Sequence, residues 1–552
     1  MGQLSRRQLL SGLAAGALLP WWTPLGATAA RAAQAAFPHG VASGDPTSDG
    51  MVLWTRVASP RLEARVKWSI AEDPAFAAIA QRGELLTDVR EDHSAKVVVR
   101  NLAPGRIWYY RFEWDGNRSI VGRTATLPIG PVDRFTVAVA SCSNYPFGHF
   151  NAYDAIARDE EIDLVLHLGD YIYEYGTDDW GGDQGAALGR AHRPAHEILS
   201  LADYRTRHAQ YKSDPGSILM HAAHPLVAIW DDHESANNPW TGGAQNHQPD
   251  EGPWSERRAA SLQAYYEWMP VRPAEDRKRY WRHFRIGDLA SIVSLETRHS
   301  GRARQIDPAE HLAADAAPAE VERFRREVLG APDRPMIDPP QERFLREAFT
   351  EARAAGRPWC VLANQIPMAR VHVPPMTLPG LDAVRADPDH AAHAQLEGLT
   401  LLGERDLPIY LDTWDGYPWA RERLYTQLAE IGVEDLLVLT GDSHAFWLNE
   451  LADAGGRPVG VELGTTGISS PGDFADFGTA LGARIDAAIA AHNPEVHWTD
   501  AGPRGWLRVT LTSEEAVADF MIVSDTSTRR YESGRLRRVH LRRRDGRLDI
   551  EA

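Results

Sequence analysis

The sequence predicts an α/β protein in two parts: an N-terminal β-sandwich of the fibronectin or immunoglobulin type, then a larger α/β domain. Three observations predict it. Residues 37–128 carry short runs with a period of two, separated by turn residues. From Phe135 onward, apolar runs alternate with longer stretches of helical spacing. At 552 residues the chain is also too long for a single core.

The elements follow in order. In residues 1–29, "SRRQLLSGLAAGALLP" places Arg6 and Arg7 before a short apolar run, and Ala27-Thr28-Ala29 supplies an A-x-A cleavage site. The run is too short to span a bilayer and reads as a removable signal peptide. The arginine pair resembles a twin-arginine signal, with an ordinary secretory signal as the alternative. The expected address is therefore the periplasm or the extracellular space, reached through the twin-arginine export machinery. No later stretch is apolar and long enough for a transmembrane segment in the mature protein.

In residues 37–128, "RVKWSI" alternates Val66, Trp68 and Ile70, and "AKVVVRNL" and "IWYYRFEW" follow around the turn at Pro104-Gly105. This pattern suits a sandwich. Pro128–Asp133 reads as a linker, and the second domain covers 134–552. Within it, "QERFLREAFTEARAAG" has helical spacing at Phe344, Leu345, Ala348 and Phe349, and "HLAADAAPAEVERFRREVLGAPD" reads as a surface helix. The closing "RLRRVHLRRRDGRLD" is basic, yet Leu536, Val539 and Leu541 mark it as a terminal strand rather than an anion-binding tail. With 76 acidic against 59 basic residues and a net charge of -17, a nucleic-acid-binding role is not expected.

Five apolar runs of the second domain end in polar groups. "FTVAVASCSN" ends with Cys142 and Asn144, "IDLVLHLGDYIY" with Asp170 and Tyr173, and "PLVAIWDDHE" with Asp231, Asp232, His233 and Glu234. "WCVLANQ" ends with Asn364 and Gln365, and "DLLVLTGDSHAFW" with Asp442, Ser443 and His444. Open α/β sheets put their sites at that edge. Each group alone has a plainer reading as a helix cap or a packed side chain. Together they form a donor set for more than one cation: oxygens suit a calcium- or manganese-like ion, and thiolate, imidazole and phenolate suit iron or zinc. Cys142 and Cys360 are the two cysteines. A disulfide is the alternative for an exported chain. If their strands run the same way, however, the four residues between Cys360 and Asn364 separate the pair by about 13 Å along the sheet. That exceeds the ~7 Å Cα separation a disulfide tolerates.

"GVASGDPTSDGMVLWTRV", "ASCSNYPFG", "HLGDYIYEYG", "WDDHE", "LANQ", "WDGYPWAR" and "LTGDSHAFW" occur in the order seen in the alkaline phosphatase D (PhoD) family. The chain resembles that family, which is related to the purple acid phosphatases, over nearly everything after the signal peptide. The resemblance implies a metallophosphoesterase α/β sandwich as the second domain. It also implies ferric iron held by Cys142, Tyr173, His444 and a bridging Asp170, and calcium held by Asp170, Asp232, Asn364 and Asp442. Asp231 is left between that calcium and another nearby. Tyr171 is read as packing. His233 is expected to face the phosphate and stabilise the transition state or protonate the leaving alkoxide, and Asn144 to contact a phosphate oxygen.

The implied activity is hydrolysis of small-molecule phosphate mono- and diesters by a metal-activated hydroxide. Two departures from the family pattern bear on the substrate pocket: Glu296-Thr297-Arg298 stands where Asp-Thr-Arg is usual, and Glu495 follows Asn493-Pro494 where a histidine is usual. Two rival readings are a metal-independent serine hydrolase using "GTTGISSPG", which lacks the G-x-S-x-G elbow, and a non-catalytic surface binding protein.

Overall fold

The computed structural model describes residues 34–274, 276–313 and 315–551, so the expected export signal lies outside the described residues. The second domain is built on two stacked sheets. In the first, Phe135–Ala140, Leu164–His167 and Pro225–Ala228 run parallel, with Val137 opposite Leu164 and His167 opposite Ala228. Arg504–Leu511, Glu515–Val523, Ser533–Arg544 and Arg547–Glu551 extend it on one side as an antiparallel meander. The basic C-terminal segment is thus a strand, with Val539 and Leu541 buried. In the second sheet, Ala290–Ser294, Trp359–Ala363, Leu436–Thr440 and Pro458–Gly464 run parallel, flanked by antiparallel partners.

Period-two side-chain placement explains why these strands read as unbroken apolar runs. Val137, Val139, Leu164, Leu166, Leu437 and Leu439 point into the layer between the sheets. Their neighbours Ala138, Ala140 and Val165 face one outer helical layer. Leu436 and Val438 face the other. Both faces of both sheets are covered, giving a helix–sheet–sheet–helix sandwich. The helix Pro339–Ala354 shows how the outer layers form: Asp338 caps the amide of Gln341 at 3.0 Å and two prolines open the first turn. Leu345, Ala348, Phe349 and Ala352 make its buried stripe. The surface helix read near 318 is present as Pro318–Phe324, continued by a π turn to Leu329.

The N-terminal β-region is a sandwich, but one of its sheets is not its own. Val41–Thr47, Gly50–Arg56 and Ser94–Val99 pack on the sheet formed by Glu63–Ala71, Ile79–Asp88, Ile107–Trp114, Asn117–Arg118 and Gly122–Ala125. Val41–Thr47 also pairs parallel with Pro225–Ala228, Ser43 opposite Pro225, so among the described residues the first sheet has ten strands and runs through both regions. The sequence reads as two units because strand pairing between distant segments leaves no local signal. The pairing covers an edge that would otherwise present unpaired amides and carbonyls. Pro128–Asp133 has no regular structure and is tied to the turn at Gly287-Asp288, where Val132 N–H donates to Asp288 Oδ1 at 3.0 Å.

Candidate metal centre

The parallel strands of both sheets deliver their C-terminal ends to one place. Leu168 N–H donates to Ala140 O, Ile229 N–H to His167 O, Asn364 N–H to Leu439 O and Gly441 N–H to Gln365 O. These bonds continue the strand pairing into the loops. The chain then turns through left-handed backbone at Cys142 (φ 60°), Asp170 (φ 56°), Asp442 (φ 66°) and His444 (φ 50°). Each such non-glycine residue costs about 1–3 kcal/mol, tolerated where the surroundings over-determine it. Gly169 (φ 104°) is required here: a Cβ would lie 2.3 Å from the Cβ of Asp231.

Three overlapping groups result, each with ligand atoms within 4.8 Å of one another: Cys142, Asp170 and His444; Asp170, Asp232 and His233; and Asp231, Asp232 and Asp442. Asp170 is common to the first two and Asp232 to the last two. Tyr173 joins the first group, its hydroxyl donating to Asp170 Oδ2 at 2.9 Å and lying 3.2 Å from His444 Nε2. Asn364 sits at its strand end, with Oδ1 accepting from Trp414 Nε1 at 3.3 Å and Nδ2 donating to Ile366 O at 2.6 Å. Asn144 is buried, its Oδ1 accepting from Tyr211 at 3.3 Å and its Nδ2 without a hydrogen-bond partner among the described residues. Tyr171 points away, to Ser217 and His221 at 2.8 Å each, in the packing role expected.

The two cysteines are free and buried; Cys142 follows the strand Phe135–Ala140 of the first sheet, and Cys360 lies within Trp359–Ala363 of the second. The expected separation along one sheet is therefore replaced by separation across stacked sheets, which lie about 10 Å apart. In the "GTTGISSPG" loop, Ser470 donates to Tyr173 Oη at 2.9 Å and Ser469 to Asn144 O at 2.7 Å. Both brace the site.

Several residues of the site carry no role that the sequence pattern marks. Glu174 is fully buried and accepts from His233 Nδ1 at 2.7 Å, from Asn237 N–H at 2.7 Å and from Asn246 Nδ2 at 2.9 Å. His233 also stacks on Tyr173, ring centres 4.2 Å apart, and its Nε2 lies 4.0 Å from Asp232 Oδ2. Glu234 is a backbone clamp: its carboxylate accepts the amides of Asp170 (3.1 Å), Tyr171 (2.7 Å) and Asp231 (2.8 Å). Arg298 grips Asp231 with Nε and Nη2 at 2.6 and 3.0 Å and reaches Asp442 at 3.1 Å and Asp412 at 3.0 Å. A signal for Arg298 existed, because "ASIVSLETR" is a sixth apolar run ending in polar groups.

The departures from the family pattern stay structural. Glu296 accepts from Trp230 Nε1 and the amides of Arg298, His299 and Ser300, shaping the turn that presents Arg298. Glu495 holds Arg370, accepting from its amide at 2.7 Å and Nε at 3.0 Å.

The electrostatics call for added positive charge. Burial, then Asp232, Asp231 and Glu234, push Asp170 far above the usual carboxylate range, although His233 opposes them. Burial with Asp231 and Asp412 does the same to Asp442, against the pull of Arg298. Burial and Asp170 raise both the Cys142 thiol and the Tyr173 phenol. Burial works against ionisation of Asp232, yet His233 and Arg298 hold it below the ordinary value. His233 is raised despite burial, by Asp232, Glu174 and Asp170. His444 is lowered to about 3 by burial and by His233, which keeps its imidazole neutral and able to ligate. Among the described residues, Asp170 Oδ1, Asp232 Oδ1 and His444 Nδ1 are buried without hydrogen-bond partners. Buried anionic groups without partners are prohibitive in apolar surroundings, and a bound cation inverts that cost. The donor set and its orphaned oxygens fit metal ions.

The family described as PhoD-like phosphatase matches residues 137–520. The PhoD-like phosphatase N-terminal domain matches residues 24–128. Alkaline phosphatase D of Bacillus subtilis (strain 168) is 35% identical over 511 residues, covering 88% of this chain and 77% of that protein. A solved structure of PhoD superposes with a TM-score of 0.75 at 31% identity, covering 96% of this chain and 94% of that one. A purple acid phosphatase from yellow lupin (Lupinus luteus) seeds shares the fold at a TM-score of 0.51 and 13% identity, over 89% of this chain and 72% of that one.

Proposed function

The chain belongs to the PhoD-like phosphatase family and is a phosphoester hydrolase, and on that premise we propose that it is an exported enzyme whose hydrolysis of phosphate mono- and diesters depends on iron and calcium. The sharing of Asp170 and Asp232 among three ligand groups carries this reading. It is the arrangement needed to hold neighbouring cations with common carboxylates. Cys142, Tyr173, His444 and Asp170 would hold ferric iron, since thiolate, phenolate and imidazole are its natural partners here. Asp170, Asp232, Asn364 and Asp442 would hold calcium, which takes oxygen ligands. When bound, such a pair of ions supplies charge to clamp phosphoryl oxygens and acidifies a water to serve as nucleophile.

The protein's own residues do the rest. Glu174 fixes His233 with its proton on Nδ1 committed to the carboxylate, leaving Nε2 on the side of Asp232. Protonated at both nitrogens, His233 is placed to donate to a phosphoryl or leaving-group oxygen. Asn144 Nδ2, buried and unpartnered, is a donor for a phosphoryl oxygen. Arg298 neutralises Asp231 and part of Asp442, limiting the repulsion that the cations must overcome. Export rests on Arg6 and Arg7 of the N-terminal segment; among the described residues no helix is long and apolar enough to cross a membrane.

Metal analysis of natively exported protein, with a screen of phosphate mono- and diesters before and after calcium chelation, tests the reading. Turnover that disappears on chelation and returns with added calcium supports it. Full turnover after verified calcium removal sinks the calcium assignment.

A further inference from the structure

His444 presents an unexplained atom. Its Nε2 faces the Tyr173 hydroxyl at 3.2 Å, the side on which iron is proposed. Its Nδ1 is buried and, among the described residues, makes no hydrogen bond of ordinary geometry, although the Pro471 carbonyl also acts on the ring. The nearest ion-pair acceptor to Nδ1 is Asp473, with Oδ1 at 4.0 Å. Asp473 is itself held from behind: Tyr410 donates its hydroxyl to Oδ2 at 2.5 Å, and Gln395 Nε2 donates to the Asp473 carbonyl at 2.8 Å. Trp180 lies parallel to the imidazole on its open face, ring centres 5.7 Å apart and 2° from coplanar.

A histidine that ligates through one nitrogen carries its proton on the other. That N–H needs an acceptor to fix the ring's orientation and raise its basicity. We propose that Asp473, buttressed by Tyr410, is the positioning residue for His444, accepting its Nδ1 proton and thereby setting how tightly iron is held. The 4.0 Å separation exceeds a direct hydrogen bond, so the contact closes by a small movement of the Asp473 loop or through one bridging water. Asp473 lines the open cleft of about 930 Å³ that meets the centre at His444, which gives it room for either. The inference rests on the proposed iron site, and the experiment separates the two.

Iron content, the rate of iron loss to a chelator and the visible ferric charge-transfer band are measured in natively exported wild type, Asp473→Asn, Asp473→Ala, Tyr410→Phe and Gln395→Ala. Wild type without iron refutes the iron site itself, whatever the variants do. If wild type holds iron, Asp473→Ala should lose it about 10- to 100-fold more readily, the usual effect of removing such an outer partner. Asp473→Asn, which keeps an acceptor oxygen, should fall between them and shift the band. Tyr410→Phe should show a smaller loss in the same direction. Gln395→Ala, which loosens the same loop while keeping the carboxylate, should retain iron. Wild-type iron retention and an unshifted band in Asp473→Ala overturn the proposal, as does equal loss in Gln395→Ala. A variant recovered unfolded by circular dichroism is replaced by Asp473→Glu, whose retained carboxylate must restore retention above that of Asp473→Asn.

Discussion

Glu174→Gln is the sharpest perturbation of the proposed chemistry because it keeps shape and burial while removing one charge. Glu174 accepts three hydrogen bonds, from His233 Nδ1, Asn237 N–H and Asn246 Nδ2. Glutamine can keep its oxygen toward Asn237 and Asn246, which places its amide NH₂ against His233 Nδ1. His233 Nδ1 must then accept, so the ring becomes neutral with its single proton on Nε2. The lost charge-assisted hydrogen bond is worth about 1.5–3 kcal/mol, and at ~1.4 kcal/mol per decade kcat/KM should fall about 10- to 150-fold. The loss should depend on the leaving group. Alkyl phosphates need a proton on the departing oxygen and should show the full effect, whereas p-nitrophenyl esters, whose leaving group departs as a stable anion, should lose much less. The assay is kcat/KM for matched alkyl and aryl esters, with iron and calcium content measured in the same preparations. Equal losses on both esters at unchanged metal content would refute the assignment of His233 as proton donor, and no loss on either would refute the dyad.

Other consequences are direct. Cys142→Ala should lose most iron and activity, while Cys360→Ala, a packing change in the outer core of the second sheet, should keep both and cost about 1 kcal/mol in thermal unfolding. Tyr173→Phe should abolish the ferric charge-transfer band and Tyr171→Phe should retain it; a band that survives without Tyr173 identifies the wrong phenol. Glu462 accepts the amides of Met368 and Ala369, and burial raises its carboxyl to about 7. The folded state therefore binds its proton more tightly than the unfolded chain, and this contribution to stability is present below pH ~4.5 and lost as pH rises to about 7. Glu462→Gln should flatten denaturant stability across that window, and an unchanged slope counts against it.

Much of this was legible in the sequence because the strands of a doubly covered sheet are unbroken apolar runs, and their ends are read off directly. Cys142, Asp170, Asp232 and Asp442 are read that way, and each lies in at least one of the three overlapping groups of potential ligands. Glu174 is not, although it adjoins Tyr173, because its partner His233 arrives from a different strand end. Asp473 and Asp412 were missed for a stronger reason: they sit on irregular segments with no periodic pattern to mark them. The shared ten-stranded sheet was equally invisible, since Ser43 and Pro225 are joined only by pairing across the fold.

The placement of the site at the mouth between two sheets has a physical consequence. A single sheet edge offers its strand ends along a line, but two stacked parallel sets offer them across a gap, so ligands can approach a cation from opposite sides. Cys142, Asp170 and Asp232 come from the first sheet, and Asp442, His444 and Arg298 from the second. Turning these side chains toward one another demands the left-handed residues at Cys142, Asp170, Asp442 and His444. Glu234 pins three amides on the first-sheet side, and Arg298 ties Asp231 to Asp442 across the gap. Arg298 thus acts as a built-in cation among the carboxylates. It holds the two halves of the site in register through a charge that no chelator removes, so the side chains would stay in place whether or not the proposed cations are bound.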